Sequence, residues 1–171
     1  MYLISSCLCG VNCKYNGSNN INEKCLKLFK EGKAILICPE QLGGLSTPRT
    51  PAEIKGTSEE VLCGKNKVMT KDNIDVTKSF LKGAKEALYI AKLTDIKVAI
   101  LKDGSPSCGV NYIYDGSFTG KKILGKGITT TILINNGIDV ISEFDFGGES
   151  GTNVNLLRLT PGRKLNCSLA A

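Results

Sequence analysis

Short apolar runs alternate with amphipathic ones along this chain. Tyr2 to Ser6 is brief, rich in strand formers and ends at Cys7, and Gly10 and Gly17 then mark a long loop, so a strand runs into a loop here. From Asn20 onward Ile21, Cys25, Leu28 and Phe29 recur at helical spacing with Glu and Lys between them, and Gly32 closes the run. That pattern predicts an amphipathic helix. Ala34 to Ile37 is continuously apolar, as in a strand covered on both faces of a parallel sheet, and it stops at Cys38-Pro39-Glu40. Gly43, Gly44, Pro48 and Pro51 mark the next stretch as loop. Two apolar bursts between Val61 and Thr70, around Gly64-Lys65-Asn66, predict a small hairpin or an irregular excursion.

A long helix follows, with Asp75 or Thr77 as its cap and Phe80, Leu81, Ala84, Leu88 and Ala91 as its buried stripe. Lys97 to Lys102 reads as a third strand, ending in the turn-rich segment Asp103 to Gly109. Thr129 to Asn136 reads as a helix capped by Gly137, and Asp139 to Ser142 as a fourth strand. The order βαβαβαβ predicts a single small α/β domain over residues 1–146, Rossmann-like in its alternation. Its sheet should be mostly parallel with helices on both faces. Past Phe146 the pattern lapses, and residues 147–171 read as a C-terminal tail with no role assigned to it.

Composition narrows this picture. With 171 residues, 42% of them hydrophobic, the chain has material for one packed core. Its apolar runs fall far short of the roughly 18 residues that cross a bilayer, and no charged-then-apolar leader opens it, so a cytoplasmic protein without a membrane partner is expected. The formal charge of +6 comes from scattered lysines such as Lys65, Lys67, Lys71, Lys121, Lys122 and Lys126, the pattern of a solvated face rather than a nucleic-acid footprint. Aromatic residues are too few and too dispersed for a base-stacking platform. A small-molecule ligand, and a monomer or weak homodimer, are the expectations.

Eight cysteines in a reducing compartment point to metal or thiol chemistry rather than a disulfide framework. The absence of histidine removes Cys-His and Ser-His-Asp constellations, histidine zinc ligands and imidazole bases together. In an open parallel sheet ligands bind beyond the carboxyl ends of the strands. Cys7, Cys38 and Cys108 each lie at or just past the end of a different predicted strand, so three thiols converge on one edge. Thiolates favour iron–sulfur clusters, zinc or copper, and three protein ligands leave a metal position open for substrate. Cys9 and Cys13 share the loop of Cys7, and either could close that position; Cys25 reads as helix packing, while Cys63 and Cys167 carry no partner signal. Glu40 is the best-placed acid–base group, Ser105 and Ser107 flank Pro106 beside Cys108, and Lys102 and Arg49 could hold an anionic or carbonyl-bearing substrate.

These segments are Ser6-Cys7-Leu8-Cys9-Gly10, Cys13-Lys14-Tyr15-Asn16-Gly17, Cys38-Pro39-Glu40 with Gly43-Gly44-Leu45 and Pro48-Arg49, Ser105-Pro106-Ser107-Cys108-Gly109, and Tyr114-Asp115-Gly116. In order, they resemble the motifs of a bacterial family long catalogued as a domain of unknown function and associated with thiouracil desulfidase. The resemblance covers roughly residues 1–143 and departs from the family at Cys9, where leucine is usual, and at Asn16, where aspartate is usual. It implies a [4Fe-4S] cluster held by Cys7, Cys38 and Cys108, whose open iron acts as a Lewis acid on the sulfur of 2-thiouracil or 4-thiouracil. Water then attacks the carbon without net redox change, giving uracil and hydrogen sulfide, with Glu40 activating the water and Ser105 or Lys102 donating to the ring. Two other readings stand beside it: an electron-transfer or redox-sensing protein with a fully protein-ligated cluster, and a structural zinc domain.

Overall fold

A computed structural model describes residues 1–146, and the tail read from the sequence lies outside them. Four parallel strands form the central sheet in the order β2-β1-β5-β8: β1 (Tyr2–Ser5), β2 (Ala34–Ile37), β5 (Val98–Leu101) and β8 (Asp139–Ser142). Successive side chains on a strand point to opposite faces, so each strand feeds two cores. Leu3, Ala99, Leu101 and Val140 pack with Ala87 and Ala91 of helix α4 (Thr77–Leu93) and Leu133 of helix α5 (Ile128–Asn135). Ile4 and Ile100 point the other way, into a layer with Cys25 of helix α1 (Glu23–Lys30) and Leu8 of the 3₁₀ turn Ser6–Cys9. This is the expected α/β domain, a parallel sheet covered by helices on both faces.

The four sheet strands and three longer helices fall where the hydrophobic pattern puts them. Asn22 caps α1, its side chain accepting from the backbone N–H groups of Lys24 and Cys25. The region between β2 and α4 differs from expectation. Cys38 stands at the N-cap of a one-turn helix α2 (Pro39–Leu42) where the sequence reads as loop, and of the hairpin or irregular excursion expected over Val61–Thr70 the hairpin is not formed. Val61 belongs to helix α3 (Ser58–Leu62), because Thr57 and Glu60 make a reciprocal capping box there, and β4 (Val68–Thr70) pairs antiparallel with β3 (Ala52–Ile54) instead. A second antiparallel pair, β6 (Tyr112–Tyr114) with β7 (Lys122–Leu124), follows β5. Both ribbons pack through Ile54, Val68 and Ile113 against Phe80 and Ala84 of α4 and Ile128 and Ile132 of α5, forming a third core beside the sheet.

Helix α2 lies against α4 with no side chain between them. Gly83 of α4 and Gly43, just past α2, face each other so closely that a Cβ on Gly83 would sit 1.7 Å from the carbonyl oxygen of Pro39. Glycine at both positions permits this approach, which fixes the short helix that starts at Cys38.

Candidate active site

The carboxyl ends of β1, β2 and β5 open into one cavity of about 790 Å³. Cys7 enters it from the 3₁₀ turn after β1, Cys38 from the end of β2, and Cys108 from the turn after β5; all three thiols are free and buried. Glu40, Arg49, Lys102, Ser105 and Cys13 line the same cavity. The candidate residues read from the sequence are therefore brought together, although they lie as far apart in the chain as Cys7 and Cys108.

The turn carrying Cys108 is fastened to the start of α5. The backbone N–H groups of Gly127, Ile128 and Thr129 donate to the carbonyls of Gly109, Pro106 and Ser107 at 2.8, 3.0 and 2.9 Å, and the Thr130 hydroxyl donates to the Cys108 carbonyl at 2.9 Å. Ser105 Oγ accepts from the N–H groups of Ser107 and Cys108, each at 3.1 Å, which leaves its own hydrogen free to donate. The Cys108 sulfur is hydrogen-bonded by Ser5 and Ser107; burial, then the Glu40 charge, push its thiol up well beyond the usual range. Ser5, the last residue of β1, is a site residue that sequence reading missed; nothing separates it from an ordinary strand serine except its place beside Cys7.

On the opposite wall, Arg49 Nη2 donates to Glu40 Oε2 at 2.8 Å, an ion pair with both side chains largely buried. Arg49 Nη1 donates to the Cys13 and Ser46 carbonyls and to Thr47 Oγ1 at 3.1, 3.2 and 3.2 Å. The guanidinium is thus engaged by the protein, and its visible task is to tie the Cys13 loop to Glu40. Burial raises the Glu40 carboxyl, opposed by Arg49. The Cys38 thiol lies 3.8 Å from Glu40 Oε2 and 3.8 Å from the Cys13 carbonyl. Its hydrogen bond with Cys13, followed by burial, pushes it far up.

Lys102 Nζ pairs with Glu143 at 2.7 Å and donates to the Asp103 carbonyl at 2.6 Å. Two of its three N–H groups are used, and one remains for the cavity. Asp103 Oδ1 accepts from the backbone N–H groups of Gly104, Val110, Asn111 and Tyr112, which hold its carboxyl below the usual range despite burial. Glu143 and Asp103 also escaped sequence reading, because their partners come from a distant strand and from a turn.

Cys13 and Cys9 part company. Cys13 is 2% exposed, lines the cavity, and its thiol is hydrogen-bonded to both Cys38 and Cys7. The bond to Cys38 lowers its pKa, but the bond to Cys7 and burial prevail and take it to about 11. Cys9 instead packs with Cys25 in the apolar layer under α1.

The donor set suits a soft cofactor: buried thiols, no histidine, and carboxylate and hydroxyl groups alongside. Among the described residues no three Cys, Asp or Glu side chains are close enough to hold a single metal ion. An iron–sulfur cluster makes a different demand, since its thiolates bind different irons and are spread around it. Among the described residues no helix is long and apolar enough to cross a membrane.

Comparison with known proteins gives the family. YbbK of Bacillus subtilis (strain 168), described as uncharacterized, is 51% identical over 144 residues, which cover 84% of this chain and 95% of that protein. The solved structure of a [4Fe-4S]-dependent thiouracil desulfidase, TudS, superposes with a TM-score of 0.77 at 40% identity, covering 85% of this chain and 91% of that one. The 2-thiouracil desulfurase family matches residues 2–145, nearly the whole described domain, and this chain is an enzyme belonging to that family.

Proposed function

We propose that residues 1–146 form a desulfidase domain that removes sulfur from 2-thiouracil or 4-thiouracil, giving uracil and hydrogen sulfide, with a [4Fe-4S] cluster held by Cys7, Cys38 and Cys108. The observation that carries this reading is the meeting of three buried thiols from three parallel strand ends in one cavity with Glu40 and Ser105. When bound, the cluster supplies a soft Lewis-acid iron for the thiocarbonyl sulfur.

The chain's own residues do the rest. Arg49 holds one oxygen of Glu40, and Oε1 has no donor among the described residues, so it is the oxygen that takes a proton from the attacking water. Burial strengthens the carboxylate as a base. The Ser105 hydroxyl, fixed by two backbone N–H groups, and the remaining N–H of Lys102 donate to the pyrimidine ring. As the attacking oxygen becomes the carbonyl the C–S bond breaks, and the sulfur leaves as hydrogen sulfide with both water protons, one returned by Glu40 and one lost from that oxygen, so protons balance and no electron is exchanged. A cavity of about 790 Å³ lies within the span typical of small-molecule sites and holds a pyrimidine with room to spare.

The test is sulfide release from 2-thiouracil by anaerobically reconstituted protein, without reductant, beside a Cys108→Ala control. Release by the wild type alone is expected. No release from protein with a full complement of iron and sulfide would overturn the assignment and favour the electron-transfer reading, in which a fourth thiolate closes the cluster.

A further inference from the structure

The segment Tyr114-Asp115-Gly116 has no part in the function proposed above, yet it leads into the tip of the β6–β7 ribbon, and Phe118 on that tip lines the active-site cavity. We propose that Phe118 is a specificity-determining residue whose ring stacks on the pyrimidine of the substrate and selects a flat, aromatic thiocarbonyl compound over a saturated one. This rests on the proposed function, because it takes a thiolated pyrimidine as the occupant of the cavity.

The base of the ribbon is tied to the reacting groups: the Gly104 N–H donates to the Tyr112 carbonyl at 3.1 Å, which joins β6 to the turn carrying Ser105. The tip is latched to β3. Lys55 Nζ donates to the Gly116 carbonyl at 2.7 Å, and the Phe118 N–H donates to Glu53 Oε2 at 3.1 Å. Glu53 is 7% exposed, so a buried carboxylate is committed to holding the backbone of this one residue. That backbone is left-handed, with φ at 59°, a conformation that a side chain as bulky as phenylalanine seldom adopts. Strain of this kind persists where surrounding contacts over-determine it, and here it belongs to an aromatic residue on the wall of a ligand cavity. Lys55, which is not part of that wall, holds its ammonium over the ring at 5.8 Å from the centroid, so the ring offers the cavity its other face. The other aromatic residues on the wall are engaged or exposed: Phe80 is buried in the third core, Tyr114 lies under the Lys122 ammonium, and Tyr15 is turned to solvent. A held aromatic face is what a flat base stacks on.

The experiment compares wild type, Phe118→Ala and Phe118→Tyr after anaerobic reconstitution, with iron and sulfide content measured in each. Calorimetry gives the Kd of uracil and of dihydrouracil, which carries the same ring donors and acceptors on a puckered, saturated ring. Sulfide release gives KM and kcat for 2-thiouracil. The expected result is a full cluster throughout and a wild type that binds uracil more tightly than dihydrouracil. Phe118→Ala should weaken uracil binding about 10-fold and raise the KM for 2-thiouracil by a similar factor. Dihydrouracil binding and kcat should change little, since a stack made equally in the ground and transition states is uniform binding. Phe118→Tyr, which keeps the aromatic face, should behave as wild type. A preference for uracil that survives in Phe118→Ala would overturn the inference, as would a wild type that shows no preference or binds neither ring. A wild type that releases no sulfide, yet prefers uracil through Phe118, would overturn the proposed function alone and leave the stacking site standing.

Discussion

Replacing Gly83 by alanine tests whether the contact between α4 and α2 sets the geometry of the active site. The added Cβ would lie 1.7 Å from the Pro39 carbonyl oxygen, 2.7 Å from its carbon and 3.0 Å from the Gly43 nitrogen, whereas ordinary contact begins at 3.4 Å. The atoms it meets are backbone, so no rotamer change relieves the clash, and α2 must retreat by about 1.7 Å. Overpacking of this kind costs about 3 kcal/mol at the upper end of its usual range. Alanine returns about 1 kcal/mol of helix propensity in α4. The net loss of about 2 kcal/mol corresponds to a drop of about 4–8 °C in Tm for a domain of this size. Because Cys38 and Glu40 move with α2, turnover should fall about 100-fold, the usual penalty for misplacing a reacting group by an ångström or so. Thermal unfolding and sulfide release, beside Lys85→Ala on the exposed side of the same helix, make the measurement. A Gly83→Ala protein with unchanged Tm and full sulfide release would refute the reasoning.

Glu40→Gln and Ser105→Ala should each retain the cluster and lower turnover by about 100-fold or more, the scale of a lost acid–base group; full turnover in both would sink their assigned roles. Lys102→Met leaves Glu143, 6% exposed at its side chain, without its cation. With Lys102 itself a quarter exposed, we expect a loss of about 1–3 kcal/mol in denaturant unfolding, less than for a fully buried pair, and partial recovery in Lys102→Met/Glu143→Gln; no recovery would mean the two do not act as a pair. Asp103→Asn removes a charge that four backbone N–H groups stabilise, at a cost of about 1–3 kcal/mol at neutral pH. The folded-state pKa of Asp103 is lowered, so its contribution is complete above its ordinary value of about 3.9 and fades as pH falls through the lower folded value. The gap in Tm between wild type and Asp103→Asn should therefore be full at pH 7 and narrow below about pH 4; a gap independent of pH would remove the charge from the explanation.

The sheet was legible because its strands, such as Ala34–Ile37 and Val98–Leu101, are apolar runs bounded by turn formers, and α4 because its stripe persists over 17 residues. The two ribbons were not legible. Strands of three residues, Ala52–Ile54 or Lys122–Leu124, are too short to show a period, and what holds them is Ile54 and Ile113 meeting α4 and α5 from far away in sequence. The same division runs through the site. Cys7, Cys38 and Cys108 could be drawn to one edge from strand order alone. That Cys13 faces the cavity while Cys9 does not depends on the path of a loop, from the 3₁₀ turn through a left-handed Gly10 (φ 88°), and no spacing rule reports it.

The union of the Cys108 turn with the first turn of α5 decides how firmly Cys108 is held. Residues 128–133 are buried throughout, so freeing the Cys108 backbone requires fraying a helix inside the core rather than lifting a surface loop. Cys7 is held differently: its carbonyl and that of Leu8 accept from Asn20 and Asn22 at the entry to α1, and the Cys13 carbonyl accepts from Arg49. The amides of Thr129 and Gly109 should therefore be among the slowest in the domain to exchange with deuterium.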